Sequence, residues 1–331
     1  MTGLNLPPIG FGTAPLGNLY RAVDDQTAEA TITAALEAGL LYADTAPYYG
    51  FGLAETRLGR AIAGNRDVVV STKVGRVLEP LATAERDRHG FVDAPAFAPV
   101  YDYSRDGILR SHEASLKRLG RDRVDILYVH DIGRRVHGAA HDARMSELLD
   151  KGGFAALEEL RDQGAVSAIG VGVNETAVCL ELMERVSLDI VLLAGRYTLL
   201  EQGPVDDLFP RCAATGAALV LAGVYNSGIL ALGADAAAAH YDYADVPEAI
   251  RQRTRAIDRI CAAHDVALPV AALQFVLAHP QAASVIVGLA NPDEVRATMA
   301  NIAAPVPDGL WSDLKTAGLL RTDVPVPART E

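Results

Sequence analysis

Short apolar runs alternate with longer amphipathic segments along nearly the whole chain. The first apolar run is Ile9-Gly10-Phe11-Gly12. Residues 26–38 then read as a helix, with Ala30, Ala34 and Ala38 at helical spacing, Asp24 or Asp25 as its cap and Gly39 as its stop. Leu40 to Ala43 is a second strand ending at Asp44, and 53–63 is a helix. Asp67 to Thr72 is a third strand ending at Lys73. The segment 104–119 is a helix with Ser104 as cap, and Asp125 to Val129 a fourth strand ending at His130. Later strands are expected at 165–171, 189–194, 218–222 and 283–287. The helices between them are expected at 153–163, 175–186, 205–215, 248–264 and 269–278, with a last helix at 293–301.

Two stretches break this rhythm. Residues 76–103 form a long insertion rich in Pro, charge and aromatics, and 133–151 is a second irregular stretch. Loops of that length in compact domains are usually functional or disordered. Eight strands separated by helices fit an α/β fold, a (β/α)8 barrel with a long insertion after strand three, expected as a single domain over 1–331. The strands are near-continuously apolar, as strands buried on both faces are. An open doubly wound sheet would carry a glycine-rich fingerprint after its first strand. Gly10 to Gly17 imitates that fingerprint with the wrong spacing, and Pro15 sits where the phosphate-binding turn would enter its helix.

Composition narrows the partners. A chain of 331 residues suits one barrel with insertions. Its net charge of −12 disfavours broad binding to nucleic acid or anionic membrane. The longest uncharged run, 216–234, has the length of a membrane span but carries Gly223, Gly228, Gly233 and Tyr225-Asn226-Ser227. It reads as strand, loop and short helix. Met1 to Pro8 shows no basic-then-apolar leader, so a cytoplasmic setting is expected. Cys179, Cys212 and Cys261 are far apart and read as buried thiols. His137 and His141, four apart with Asp142 adjacent, weakly suggest a metal site; a solvated loop without metal is the preferred reading. The oligomeric state stays open.

The candidate chemistry gathers at strand ends. Asp44, Lys73 and His130 close successive strands, and Tyr49 lies just beyond Asp44. Barrel enzymes place their reactive groups at the C-terminal ends of strands. A tyrosine of ordinary pKa exchanges protons poorly at neutral pH, and a neighbouring ammonium would lower that value. Aspartate would hold the lysine, and histidine could orient a substrate oxygen.

This set resembles the catalytic tetrad of the aldo-keto reductases, NAD(P)-dependent (β/α)8 barrels. The resemblance runs from Gly10-Phe11-Gly12-Thr13 through Ser71-Thr72-Lys73, Leu127-Tyr128-Val129-His130 and Ile169 to Asn174, and ends at Val287 to Pro292. It implies Tyr49 as proton donor or acceptor, Lys73 as its tuner, Asp44 as the partner of Lys73 and His130 as substrate orienter. Tyr48 is the rival to Tyr49; family spacing favours Tyr49, leaving Tyr48 to line the pocket. For the cofactor it implies Gly12, Thr13 and Asp44 near the nicotinamide ribose, Asn174 on the carboxamide and Ser227-Gly228-Ile229 over the pyrophosphate. Gly288, Leu289 and Asn291 would approach the adenosine. Relatives that prefer NADP clamp its 2′-phosphate with a lysine and an arginine. The aligned positions here are about Gly288 and Glu294, so NAD is the expected preference, with NADP possible if Arg296 does the clamping.

Residues 97–111, His130-Asp131-Ile132-Gly133, Asn174-Glu175 and 225–230 resemble a narrower subgroup, the aldose 1-dehydrogenases acting on L-fucose and related D-threo-aldoses, to which pyridoxal 4-dehydrogenase also belongs. The resemblance implies oxidation of a cyclic hemiacetal to a lactone, with a sugar preferred and pyridoxal the alternative. Tyr48, Tyr101 and Asp131 are the candidate substrate contacts. A non-catalytic nucleotide-sensing subunit is the remote alternative.

Overall fold

The computed structural model describes residues 5–327. Met1 to Leu4, half of the stretch read as lacking a leader, lie outside the described residues. In chain order the strands are β1 (Ile9–Gly12), β2 (Tyr42–Asp44), β3 (Val69–Val74), β4 (Arg76–Pro80), β5 (Phe97–Tyr101), β6 (Ile126–His130), β7 (Ala168–Val173), β8 (Ile190–Ala194), β9 (Ala218–Ala222) and β10 (Ala282–Gly288). The helices are α1 (Asp25–Glu37), α2 (Leu53–Ala61), α3 (Arg105–Leu119), α4 (Arg134–His137), α5 (His141–Leu149), α6 (Gly153–Asp162) and α7 (Thr176–Met183). They continue with α8 (Leu208–Thr215), α9 (Ile229–Leu232), α10 (Glu248–Ala263), α11 (Leu268–Leu277), α12 (Pro292–Ala303) and α13 (Asp308–Thr316).

Eight strands close into a parallel barrel in the order β1-β10-β9-β8-β7-β6-β3-β2, as the alternation predicts. Its lumen is filled by Tyr42, Ile126, Tyr128, Ile190, Val220 and Ile286, all buried. β1 and β2 approach too closely for a side chain at Gly10: a Cβ added there would meet the Tyr42 backbone carbonyl oxygen at 2.4 Å. Helix starts follow the capping chemistry. The Asp24 side chain accepts from the Thr27 N–H at 2.6 Å, and Ser104 Oγ accepts from the Gly107 N–H at 3.3 Å.

Several expectations need correcting. The inner face of α1 is Ala28, Thr31, Ile32 and Ala35, and Ala30 is exposed. Three alanines are too small to choose a face against Ile32. Strand β7 begins at 168 because the amides of Ala165 and Val166 turn back to the Leu160 carbonyl and finish the preceding helix. The helix expected at 205–215 is a 3-10 turn followed by α8, which Asp207 caps. The insertion 76–103 is not structureless: β4 and β5 pair antiparallel, with Arg76 opposite Tyr101. Phe91 and Ala94, from the loop between them, pack on Phe51 beside Tyr48 and Tyr49. The stretch 133–151 holds α4 and α5, and α13 follows the helix taken as last. Residues 216–234 are strand, loop and the short α9, as expected. Among the described residues no single helix is long and apolar enough to cross a membrane.

The solvated-loop reading of His137, His141 and Asp142 also fails. His141 is fully buried, its Nδ1 facing the Ile132 carbonyl oxygen at 3.1 Å and its Nε2 facing Glu181 at 3.0 Å. His137 faces the Tyr103 hydroxyl and Asp142 pairs with Arg134, so the three donors point to separate partners. The three cysteines are buried and free. Burial pushes the Cys212 thiol up to about 11.

Candidate active site

Asp44 ends β2 and Lys73 lies one residue from the end of β3, so the two side chains meet at the barrel mouth. Lys73 Nζ donates to Asp44 Oδ2 at 2.7 Å, to Oδ1 at 2.9 Å and to the Thr45 carbonyl oxygen at 2.9 Å. Both residues are buried, at 1% and 4% exposure. Three groups support the pair from below. Ser71 Oγ donates to Asp44 Oδ1 at 2.7 Å, Tyr42 donates to Ser71 at 3.1 Å, and the Tyr42 and Tyr128 hydroxyls lie 3.1 Å apart. This polar floor was not read from the sequence, because Tyr42 and Tyr128 sit in apolar runs that read as core.

Tyr49 lies above the pair. Lys73 Nζ is 4.7 Å from its ring centroid, and the His130 ring meets it edge-on with centroids 5.9 Å apart. Burial, then the Asp44 carboxylate, push the Tyr49 phenol well above the ordinary tyrosine value; Tyr243 and Asp131 act the same way and Arg76 opposes them. The sequence-based expectation was that Lys73 would lower it. In the folded site the Lys73 charge is engaged by Asp44, and the opposing cation is Arg76. His130 is held well below the ordinary imidazole value by burial, reinforced by Arg76 and Lys73, and so stands neutral.

The turn carrying Tyr49 rests on a backbone-to-backbone contact. A Cβ added to Gly17 would meet the Tyr49 carbonyl carbon at 2.6 Å, and one on Gly50, whose φ is +63°, would meet the Gly17 oxygen at 2.3 Å. Buried Arg57 fixes the loop from beneath, donating to the Leu16 carbonyl at 2.6 Å and the Val23 carbonyl at 2.7 Å. Gly17→Ala therefore displaces the Tyr49 peptide. We expect kcat to fall about 100-fold, the cost of a displacement of ~1 Å at a reacting group, with little change in cofactor affinity. An unchanged kcat in steady-state assays would show that Gly17 does not set the tyrosine's position.

Behind Tyr49 runs a cavity of about 450 Å³, within the range of small-molecule sites. Asp44 and Tyr49 line one part of it, and Gly288, Ala290, Arg21 and Glu294 another. Of the residues expected at a cofactor, Gly12, Asp44, Asn174, Ser227, Gly228 and Gly288 line the cavity. Thr13, Ile229, Leu289 and Asn291 do not. Thr13 Oγ1 is spent on the Asp44 carbonyl oxygen at 3.1 Å, and Asn291 Oδ1 caps α12 by accepting from the Glu294 N–H at 3.0 Å. Ile229 and Leu289 are core. Glu294 does face the cavity. It accepts from the Ala290 N–H at 2.8 Å, Asn291 Nδ2 at 2.8 Å and Arg21 at 2.7 Å. Arg296 is surface-exposed, paired with Asp293 and outside the cavity lining.

The mouth beside Tyr49 holds a second charged pair. Arg76, at the start of β4, donates to Asp131 Oδ2. Its guanidinium lies 3.9 Å from the Tyr48 ring centroid and 5.1 Å from that of Tyr101. Sequence reading singled out Asp131, Tyr48 and Tyr101 but missed Arg76, and also missed Arg21, Tyr20 and Tyr243 in the cavity wall. Tyr20, Arg21 and Tyr243 lie on loops, where no periodicity marks them.

The sequence matches the Aldo/keto reductase family over residues 8–317. It is 40% identical to a pyridoxal 4-dehydrogenase from Microbacterium luteolum, over 96% of each chain. It is also 40% identical to a D-threo-aldose 1-dehydrogenase from a Pseudomonas species, over 97% of this chain and 96% of that one. Among solved structures, an aldo-keto reductase from Bacillus halodurans in its holo form superposes with a TM-score of 0.73 at 25% identity, over 97% of this chain and 94% of that one.

Proposed function

Because the chain belongs to the aldo/keto reductase family, oxidoreductases that use nicotinamide cofactors, we propose that it oxidises a cyclic hemiacetal to a lactone, with an aldose of the L-fucose or D-threo type as substrate. The observation that carries this reading is the placement of Tyr49 over the Lys73–Asp44 pair, beside a neutral His130, at one end of the cavity. Gly12, Asn174, Ser227, Gly228 and Gly288 of the cavity wall would hold the cofactor, whose oxidised nicotinamide would supply the acceptor for the anomeric hydrogen as hydride. The chain's own residues handle the proton. Tyr49 in its phenolate form takes the hydroxyl proton at its phenolic oxygen as the C–H electron pair leaves, and the C–O bond becomes the lactone carbonyl. His130, neutral and with its Nδ1 buried, orients the reacting oxygen. Lys73 and Asp44 hold the floor on which Tyr49 stands.

NAD is the proposed cofactor. Glu294 puts a carboxylate at the cavity wall where a 2′-phosphate would need cations, the neighbouring Arg21 is already paired with that carboxylate, and Arg296 is turned away. Pyridoxal is the second reading, supported by the 40% identity to a pyridoxal 4-dehydrogenase and by the aromatic rings of Tyr48 and Tyr101 at the mouth.

Steady-state oxidation of L-fucose, D-arabinose, L-galactose and pyridoxal, each with NAD and with NADP, tests the proposal. We expect the highest kcat/KM with L-fucose, and an NAD preference of about 5-fold or more, since like charges ~4 Å apart repel by ~1 kcal/mol even in water. A clear NADP preference would overturn the cofactor assignment. Reduction of open-chain aldehydes without hemiacetal oxidation would overturn the reaction.

A further inference from the structure

The Arg76–Asp131 pair takes no part in the proton path assigned above, yet it is costly to maintain. The two side chains keep only 6% and 16% of their surface exposed. Buried ion pairs add little stability over apolar packing of similar volume. Asp131 also adopts φ +50°, a left-handed conformation that costs a non-glycine residue ~1–3 kcal/mol and gathers at functional sites. That conformation turns its amide to the Gly172 carbonyl at 3.0 Å and brings its carboxylate back over the preceding residue. Asp131 Oδ2 comes to lie 3.4 Å from His130 Nε2. Arg76 is fixed by Tyr48 and Tyr101, and its Nε is buried without a partner.

We infer that Arg76 and Asp131 read the hydroxyl next to the reacting carbon of the substrate ring. A hydroxyl both donates and accepts. The carboxylate takes its proton in a charge-assisted bond and the guanidinium donates to its oxygen. The spacing between His130 Nε2 and Asp131 Oδ2 is of the order of that between oxygens on neighbouring ring carbons. With His130 on the reacting oxygen, the pair therefore meets the oxygen one carbon away. A ring lacking that hydroxyl loses both bonds. The pair thus selects α-hydroxy hemiacetals. It is a binding and specificity element, and the proton still goes to Tyr49.

This inference rests on the lactone-forming reading, and the wild-type protein tests that reading by itself: no hemiacetal oxidation removes both ideas before any variant is compared. The test compares L-fucose with 2-deoxy-L-fucose. Pyridoxal has no hydroxyl on the carbon next to the reacting one, so a wild-type preference for pyridoxal over L-fucose would also overturn the inference. Wild type is expected to lose about 10–100-fold in kcat/KM on the deoxy substrate, the effect of stranding desolvated polar groups. Asp131→Asn keeps the left-handed backbone, which Asn tolerates, and Arg76→Lys keeps the charge without the fork. Both variants should lose a similar factor on the parent sugar and little more on the deoxy sugar, with NAD affinity by fluorescence titration unchanged. Equal losses on both sugars, or weakened NAD binding in both variants, would make the pair a structural support and overturn the inference.

Discussion

Replacing Tyr49 by Phe should reduce kcat by about 10²–10⁴-fold, the range of a positioned proton-transfer group, while NAD still binds. The ring, its contact with His130 and its place over Lys73 all survive, and only the phenolic oxygen goes. A pH profile separates this from a packing effect. Burial and Asp44 raise the Tyr49 phenol, and the proposed oxidation uses the phenolate. The phenolate fraction grows as pH rises, so wild-type kcat for oxidation should climb through the alkaline range. His130, already neutral, contributes no opposing limb there. In Tyr49→Phe the climb should vanish. A Phe variant with an unaffected rate, or with the same alkaline rise, would refute the role.

The second large effect is on stability. Lys73→Met leaves the Asp44 carboxylate buried with Ser71 as its remaining side-chain donor. Removing one partner of a buried pair costs about 3–5 kcal/mol, because a desolvated charge remains. Urea denaturation should show a fall of that size. A double variant, Lys73→Met with Asp44→Leu, removes both charges and should regain most of the lost stability with no recovery of turnover. A single-variant loss below ~1 kcal/mol, the level of an exposed pair, would mean that water reaches Asp44 freely.

The sequence made legible what is local along the chain. β1 and β9 fall where their apolar runs fall, and Ser104 and Asp24 cap the helices they precede. Asp44, Lys73 and His130 stood out because strand ends are marked in the chain, and Tyr49 by its spacing beyond Asp44; the fold brings the four side chains together. The insertion hid its hairpin because Pro80, Pro99 and charged residues interrupt the period of two. The stretch 133–151 hid two helices because Gly133 and Gly138 flank the four-residue α4, too short to show a stripe. Arg76 carried no signal either. Its importance comes from a partner 55 positions away, across the barrel mouth. Glu294 was found by position, but its pairing with Arg21, 273 residues earlier, was not.

The hydroxyl ladder under the active site has a directional consequence. From Asp44 it passes through Ser71 and Tyr42 to Tyr128 and ends there. Ile126, Ile190, Val220 and Ile286 plug the lumen around and beyond it, and offer no group that could carry a proton. The site is therefore a cul-de-sac. A proton taken by Tyr49 has no route through the barrel floor and leaves on the side of the mouth and the cavity. The plugged lumen leaves the barrel one wet end, and exchange of protons with solvent is confined to it.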